Sequence, residues 1–279
     1  MRNLPSLSET IRAHGIRAKK NMGQHFLLDS NLCNRIAQVA GELAKGSTIE
    51  IGAGPGGLTR ALLDAGAFSL FAIEKDPRCK PALLELANAY PGRVTLIEGD
   101  ALKTDLTILG NQPKRIVANL PYNIATELLF RWLPCIDTFE SLVLMLQKEV
   151  VKRLAAKPGS KSYGRMTVMI QWLCTVEPMF DVNPTAFHPP PKVKSTVVRL
   201  IPREQPLAPA ERLILERVTA AAFGQRRKML RSSLRIFGDV STLCADARIE
   251  PTDRAESLSV EDFCTLARSV AGRNTAALS

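Results

Sequence analysis

The sequence predicts an α/β protein, a doubly wound parallel sheet followed by a small all-α C-terminal domain. Three observations predict it. From Ser47 to Leu146, short apolar runs alternate with helical patterns across short connections, the arrangement that builds parallel sheets. A glycine-rich segment, Glu50-Ile-Gly-Ala-Gly-Pro-Gly-Gly-Leu-Thr59, lies where the first of those runs meets the first helix. Beyond Pro202, Pro206 and Pro209, residues 210–272 carry helical patterning only.

The elements follow in order. Residues 1–23 are basic and lack clear periodicity, which predicts a flexible arm. Asp29 or Ser30 can cap a helix through Leu32, Ile36, Val39 and Leu43, which recur at helical spacing. Ser47–Ile51, Ser69–Glu74, Val94–Glu98, Arg115–Asn119 and Ser141–Leu146 read as buried strands. Gly57–Ala65, Pro77–Ala89 and Ile124–Leu133 read as the intervening helices. After Lys148 the pattern changes to a helix through Val150–Ala156 and a Lys-Pro-Gly-Ser-Lys-Ser loop. Thr175–Val182 and Thr196–Ile201 read as strands closing the sheet edge. Between them the proline-rich segment 184–192 reads as an extended loop, because proline fixes φ and restricts the residue before it. The expected domains are the arm 1–23, a sheet domain 24–203 and a helical domain 210–279, with the boundary near 203–209.

Composition narrows the function classes. Of 279 residues, 46% are hydrophobic and 23% charged, which is ordinary for a globular protein. The net charge of +10 favours a polyanionic partner, because Lys and Arg gain affinity by releasing phosphate counterions. The six cysteines form no Cys-x-x-Cys pair, so they read as thiols of a reducing, cytoplasmic compartment. His14, His25 and His188 are widely separated, and no metal centre is expected. No apolar run reaches the roughly 18 residues of a membrane span, so no membrane partner is expected. Nothing suggests a coiled coil, and a monomer is expected.

Gly52, Gly54 and Gly57 satisfy G-x-G-x-x-G after a strand and before a helix, the Rossmann-like nucleotide fingerprint. Glu74 ends the next strand, about 20 residues on, a spacing suited to gripping ribose hydroxyls. By itself the motif admits a nicotinamide cofactor as well as S-adenosylmethionine (AdoMet). Gly99-Asp100 then ends the third strand, where a carboxylate can accept from an adenine amino group.

The fourth strand ends in Asn119-Leu120-Pro121-Tyr122. Asn119 offers a side-chain carbonyl, Leu120 and Pro121 offer backbone carbonyls, and proline has no N–H to compete. Tyr122 offers a flat ring for a base. Two acceptors can hold both hydrogens of an exocyclic amine and localise its lone pair toward an incoming methyl group. Hydride transfer needs no such set, so the tetrapeptide tilts the choice to AdoMet.

On these residues the chain resembles the ribosomal RNA small-subunit adenine dimethyltransferases, from about Lys19 to Ala267. The matching segments are Gly23-Gln-His-Phe-Leu27, Glu50–Thr59, Asn119–Tyr122, Leu146-Gln-Lys-Glu-Val150, Phe187-His-Pro-Pro-Pro-Lys-Val193, Ala222-Phe-Gly-Gln-Arg-Arg-Lys228 and Arg254-Ala-Glu-Ser-Leu-Ser259. The resemblance implies a Rossmann-like AdoMet-dependent methyltransferase that makes N6,N6-dimethyladenosine at two adjacent adenosines near the 3′ end of small-subunit rRNA. It implies AdoMet contacts at His25, Leu27, Gly52, Gly54, Glu74, Asp100 and Asn119, with His25 standing where many bacterial members have Asn. It also implies that Tyr122 and Phe187 sandwich a flipped adenine, although a core aromatic is the other reading of Phe187. The partner implied is small-subunit rRNA within the immature small ribosomal subunit. The rivals are a resistance-type methyltransferase of large-subunit rRNA, a non-catalytic assembly factor that keeps the fold, and an NAD-dependent dehydrogenase.

Gln225–Phe237 reads as one amphipathic helix. Arg227, Arg231 and Arg235 share a cationic face, Arg226 and Lys228 flank it, and Leu230, Leu234 and Phe237 form the apolar stripe. A basic face without acids suits phosphate contacts that fix register on folded RNA. Lys148, Lys152 and Arg153 are expected to extend this track, and the arm 1–23 to order on RNA.

Overall fold

Strand–helix alternation becomes a seven-stranded sheet in the computed structural model, which describes residues 4–19, 23–225 and 227–276, of 274–276 the backbone alone. Two compact units form, Met1–Val151 with Glu177–Pro202, and Lys152–Val176 with Arg203–Ser279. Among the described residues no helix is long and apolar enough to cross a membrane.

In the first unit, β2 (Ser47–Ile51), β3 (Ser69–Glu74), β4 (Val94–Glu98), β5 (Lys114–Asn119) and β6 (Ser141–Gln147) are joined by α3 (Gly57–Asp64), α4 (Lys80–Ala89) and α5 (Ala125–Trp132). With β7 (Cys174–Val182) and β9 (Ser195–Pro202), the sheet order is β4-β3-β2-β5-β6-β9-β7. Neighbours from β4 to β6 run parallel, and β9 is antiparallel to β6. The expected pair of late strands therefore closes one sheet edge. Pro178 sits within β7 at that edge, where its missing N–H costs no central ladder bond. The core strands are buried on both faces: every residue of β2 is buried, as are the first five of β5 and the first six of β6. Asp29 caps α2 (Ser30–Val39), its Oδ1 accepting the Leu32 N–H at 3.1 Å.

Four expectations change. The arm 1–23 is not featureless over its described residues: Leu7–Ala13 forms a helix, α1, opened by a capping box. Ser6 Oγ accepts the Glu9 N–H, and Glu9 Oε2 accepts the Ser6 N–H at 2.8 Å. The helix is tied down by Arg60, which donates to Pro5 O at 2.6 Å and to Thr10 Oγ1 at 2.9 Å. Ile16 is buried in a small cluster with Phe26, Cys79 and Ala82.

The proline-rich stretch is only partly an extended loop. Pro184–Ala186 make a turn of 3-10 helix, and β8 (Phe187–His188) pairs antiparallel with β1 (Phe26–Leu27), matching Phe26 with His188 and Leu27 with Phe187.

The single helix expected over 225–237 is broken. Helix α8 (Arg212–Gly224) stops at Gly224, α9 spans only Leu230–Ser233, and a 3-10 turn covers Arg235–Phe237. Tertiary pairing overrides the helical pattern: Met229 bridges to Arg254, and the Leu230 N–H donates to Asp253 O at 2.8 Å. Leu230 and Leu234 are still buried as the apolar side.

The chain passes to the second unit at Arg203, at the expected 203–209 boundary, but Lys152–Val176, expected in the sheet domain, also belongs to the second unit. This segment holds a helix absent from the expected pattern, α7 (Arg165–Leu173). Gln171 donates to Leu154 O and Ala156 O, and Trp172 Nε1 donates to Ala208 O at 2.8 Å. Tyr163, Phe223 and Phe263 make a chain of ring contacts at 6.0 and 5.4 Å, each within the attractive range for aromatic pairs. These contacts hold the segment to α8 and α11 (Val260–Ala276).

Candidate active site

A cavity of about 300 Å³ opens at the carboxyl ends of β2, β3 and β5 and over the loop after β4, the place where open α/β sheets bind ligands. His25, Leu27, Gly52, Gly54, Glu74, Asp100 and Asn119 all line it, as do Leu120, Pro121 and Tyr122. Phe187 is not in its wall.

The glycine loop shapes the floor. Gly56 caps α3 with φ at 90°, and a Cβ there would meet Leu86 Cδ1 at 2.4 Å. Only glycine suits that position. Glu74 fastens the loop: its Oε2 accepts the Gly54 N–H and its Oε1 accepts the Asp76 N–H, both at 2.7 Å. Burial raises the Glu74 carboxyl, and those two N–H bonds oppose the rise.

Sequence reasoning passed over Glu50 as a site residue. It is buried in the cavity wall, and burial pushes its carboxyl up to about 8 despite nearby Thr59, with the Glu74 charge adding to the rise. Its Oε2 has no hydrogen-bond partner among the described residues. A buried orphan carboxylate oxygen calls for a cation or a donor. The unpartnered oxygen in the wall therefore suits a ligand that brings a hydrogen-bond donor or a cation to it.

Asp100 is engaged on both oxygens. Lys75 Nζ donates to Oδ2 at 2.7 Å, and the Leu102 N–H donates to Oδ1 at 3.0 Å. These two bonds, Lys75 first, hold its carboxyl below the usual carboxylate range. Asp100 thus serves as a turn residue at the cavity wall, with Lys75 an unforeseen neighbour.

The tetrapeptide departs from expectation in one carbonyl. Pro121 O accepts the Ile124 N–H at 3.2 Å, because the chain turns there into α5, so one of its two lone pairs is taken by the turn. Leu120 O accepts no hydrogen bond among the described residues. Asn119 Nδ2 donates to His25 O at 3.2 Å, which turns the side-chain Oδ1 into the available acceptor. Tyr122 reaches Ser195 through a hydroxyl pair at 2.6 Å. Burial raises its phenol, and the Ser195 bond lowers it again. Ser195 lies on β9, and no local motif pointed to it.

His25 stands among the rings. Its centroid is 6.0 Å from that of Tyr122, at 29°, and 6.4 Å from that of Phe187, at 80°. Its Nδ1 lies 2.7 Å from Pro189 O. Phe187 itself is only 4% exposed and belongs to the hydrophobic core.

The basic face expected on the second unit is present in a different form. Arg227, Lys228, Arg231 and Arg235 are all exposed, and among the described residues none is paired with a carboxylate. They lie on a turn, a short helix and a 3-10 turn instead of one helical stripe. Arg226 lies outside the described residues. Lys148, expected to extend the track, instead forms an ion pair with Asp181 across to β7, since Asp181 projects from the neighbouring sheet edge.

Comparison with known proteins agrees with this geometry. The sequence profile of the family "Ribosomal RNA adenine dimethylase" matches residues 15–272. A protein of Rhodospirillum rubrum named ribosomal RNA small subunit methyltransferase A is 61% identical over 267 residues, covering 96% of this chain and 93% of that one. One of the same name from Paramagnetospirillum magneticum is 59% identical, covering 98% and 97%. Among solved structures, a dimethyladenosine transferase from Plasmodium falciparum superposes with a TM-score of 0.74 at 25% identity, covering 90% of this chain and 98% of that one. The 23S rRNA methyltransferase ErmE gives 0.66 at 26% identity, covering 88% and 99%.

Proposed function

The chain belongs to the ribosomal RNA adenine dimethylase family, and on that premise we propose that it uses AdoMet to dimethylate N6 of two adjacent adenosines near the 3′ end of small-subunit rRNA. One observation carries the site assignment: the Asn119 amide is anchored on His25 O, so Oδ1 and the nearby Leu120 O remain as the acceptors. Two acceptors match the two hydrogens of an adenine amine.

AdoMet, when bound, supplies a methyl group already activated on a sulfonium. The chain's part is to hold the reactants. Gly52, Gly54 and Glu74 would seat the nucleoside, Asp100 would accept from its adenine amine, and Glu50 would meet its positive charge. Asn119 Oδ1 and Leu120 O would hold the target amine and point its lone pair at the methyl carbon. Their dipoles stabilise positive charge developing on N6 in a site that needs no reorganisation. With both reactants so held, the N6 lone pair would take the methyl group, leaving a neutral thioether nucleoside, and the N6 proton would pass to solvent water. Flipping the base costs a few kcal/mol. Stacking on Tyr122 would offset it at roughly 1–3 kcal/mol per base, and Phe187, which lies buried outside the cavity wall, would complete the clamp only as the entering base uncovers it.

The exposed cations of the second unit support phosphate contacts that set register on folded RNA, while the pocket selects adenine. We place the reaction in the cytoplasm, on an immature small subunit, with the enzyme acting as a monomer. The likeness to ErmE keeps a large-subunit substrate as the second reading, and the relatives above 50% identity, named for the small subunit, favour the first. The deciding experiment incubates the protein with labelled AdoMet and, in parallel, undermethylated small subunits and large subunits, digests the RNA of each and maps modified nucleosides. Dimethyladenosine at two adjacent positions supports the proposal. Label only in large-subunit rRNA, or none with AdoMet bound, overturns it.

A further inference from the structure

We infer that His25 is a positioning residue for methyl transfer, the hub that joins the two halves of the base clamp. The inference rests on the reading that the target adenine lies between Tyr122 and Phe187. Those residues come from distant parts of the chain, one from the end of β5 and one from β8. The His25 ring meets both, lying nearly parallel to Tyr122 at 6.0 Å and edge-on to Phe187 at 6.4 Å. Both distances fall within the attractive range for aromatic pairs. Its backbone carbonyl holds the Asn119 amide at 3.2 Å. Its Nδ1 reaches Pro189 O at 2.7 Å. One residue therefore touches the amine-holding side chain, both clamp rings and the loop that carries the second ring.

The Pro189 contact fixes one donor of the ring. A carbonyl only accepts, so Nδ1 carries a proton and donates to it. Through that bond and its ring contacts His25 acts on the base by way of its neighbours. Without the Nδ1–H donor, the loop bearing Phe187 keeps only the short β1–β8 ladder as its tie to this side of the site. The clamp separation then relaxes, and misplacement of about 1 Å can cost on the order of 100-fold in rate.

The test uses the full chain with undermethylated small subunits and three variants, His25→Ala, His25→Asn and His25→Leu. Single-turnover methylation is measured at saturating RNA and AdoMet, with AdoMet affinity measured by calorimetry. An Asn amide places its Nδ2 close to where the imidazole Nδ1 lies and donates to Pro189 O, whereas Leu fills the volume without donating. The expected result is a rate about 100-fold lower for His25→Ala and His25→Leu, with His25→Asn recovering to within about tenfold. Because His25 also lines the cofactor cavity, rates are compared only at saturating AdoMet, with the affinity read separately. Equal rates for His25→Leu and His25→Asn would overturn the inference, and this pair decides it even where His25→Ala does not fold. So would a His25→Ala variant that loses AdoMet affinity but keeps its rate at saturating cofactor, since His25 would then serve the cofactor alone. Absence of dimethylation by the wild-type protein would instead overturn the functional reading, and this inference with it.

Discussion

Asn119 Nδ2 donates to the backbone carbonyl of His25 at 3.2 Å. The bond spends the donor end of the amide on the protein's own backbone and leaves the acceptor end for the substrate. An amide free to rotate would present either end. This contact selects one, and it does so with a group that no side-chain substitution at residue 25 removes.

Replacing Asn119 by Ala removes that acceptor. Methylation should fall by about 30- to 1000-fold, the equivalent of roughly 2–4 kcal/mol lost from a preorganised dipole. AdoMet affinity should fall far less. Turnover assays beside calorimetry check this, and a folded, AdoMet-binding variant with the wild-type rate would refute the role.

Glu50 makes stability depend on pH in a stated direction. Its folded carboxyl is raised by burial to about 8 from 4.5, so the folded state binds a proton that the unfolded state has released. Stability from this group is full below pH 4.5 and declines as pH rises toward 8. Glu50→Gln, which cannot ionise, should gain on the wild type across that window by at most ~1.4 kcal/mol per pH unit, and no further above it. Thermal melts from pH 5 to 9 without cofactor read the gap. A gap that narrows with rising pH would refute it.

Asp76 has the opposite sign. Its carboxyl is held near 2, first by the Arg78 side chain and then by Gln24, against some burial. Gln24 Nε2 donates to Asp76 Oδ2 at 2.8 Å, and its Oε1 accepts the Lys19 N–H at 2.9 Å. The network thereby ties the segment before the pocket to the end of β3. Asp76→Ala should cost on the order of 2 kcal/mol at pH 7. The difference from wild type should hold down to about pH 4 and shrink as pH falls toward 2. Urea melts at several pH values test this, and a difference that widens on acidification would exclude it.

Charge reversal at Arg227 and Arg231 should weaken RNA binding and spare AdoMet binding. Each phosphate that goes unneutralised should reduce the salt slope of RNA affinity by about one. Filter binding across salt concentrations gives the slope, and an unchanged slope with unchanged affinity would remove these residues from the RNA path.

The strands were legible because each is a buried apolar run stopped by a loop former. Ser47–Ile51, Ser69–Glu74 and Val94–Glu98 have the bounds their sequence predicts. The pocket residues at their ends were legible for the same reason, since motif and strand end coincide at Gly52, Glu74, Asp100 and Asn119. Helix α7 was hidden because Thr167, Val168, Met169, Ile170 and Trp172 bury it on most sides, which erases a one-sided helical pattern. Helix α1 carried a signal that went unused, the Ser6–Glu9 capping box. The break at 225–229 and the His25–Pro189 and Tyr122–Ser195 contacts had no local signature, because each depends on a partner far away in sequence.

The short ribbon of β1 with β8 joins residues more than half the chain length apart. A ribosome releases the glycine loop and Asn119–Tyr122 well before it releases Phe187. A growing chain can therefore complete its nucleotide cradle early, yet it lacks the second wall of its base pocket until late in translation. Competence to modify RNA arrives only after Phe187, about two thirds of the way along the 279-residue chain.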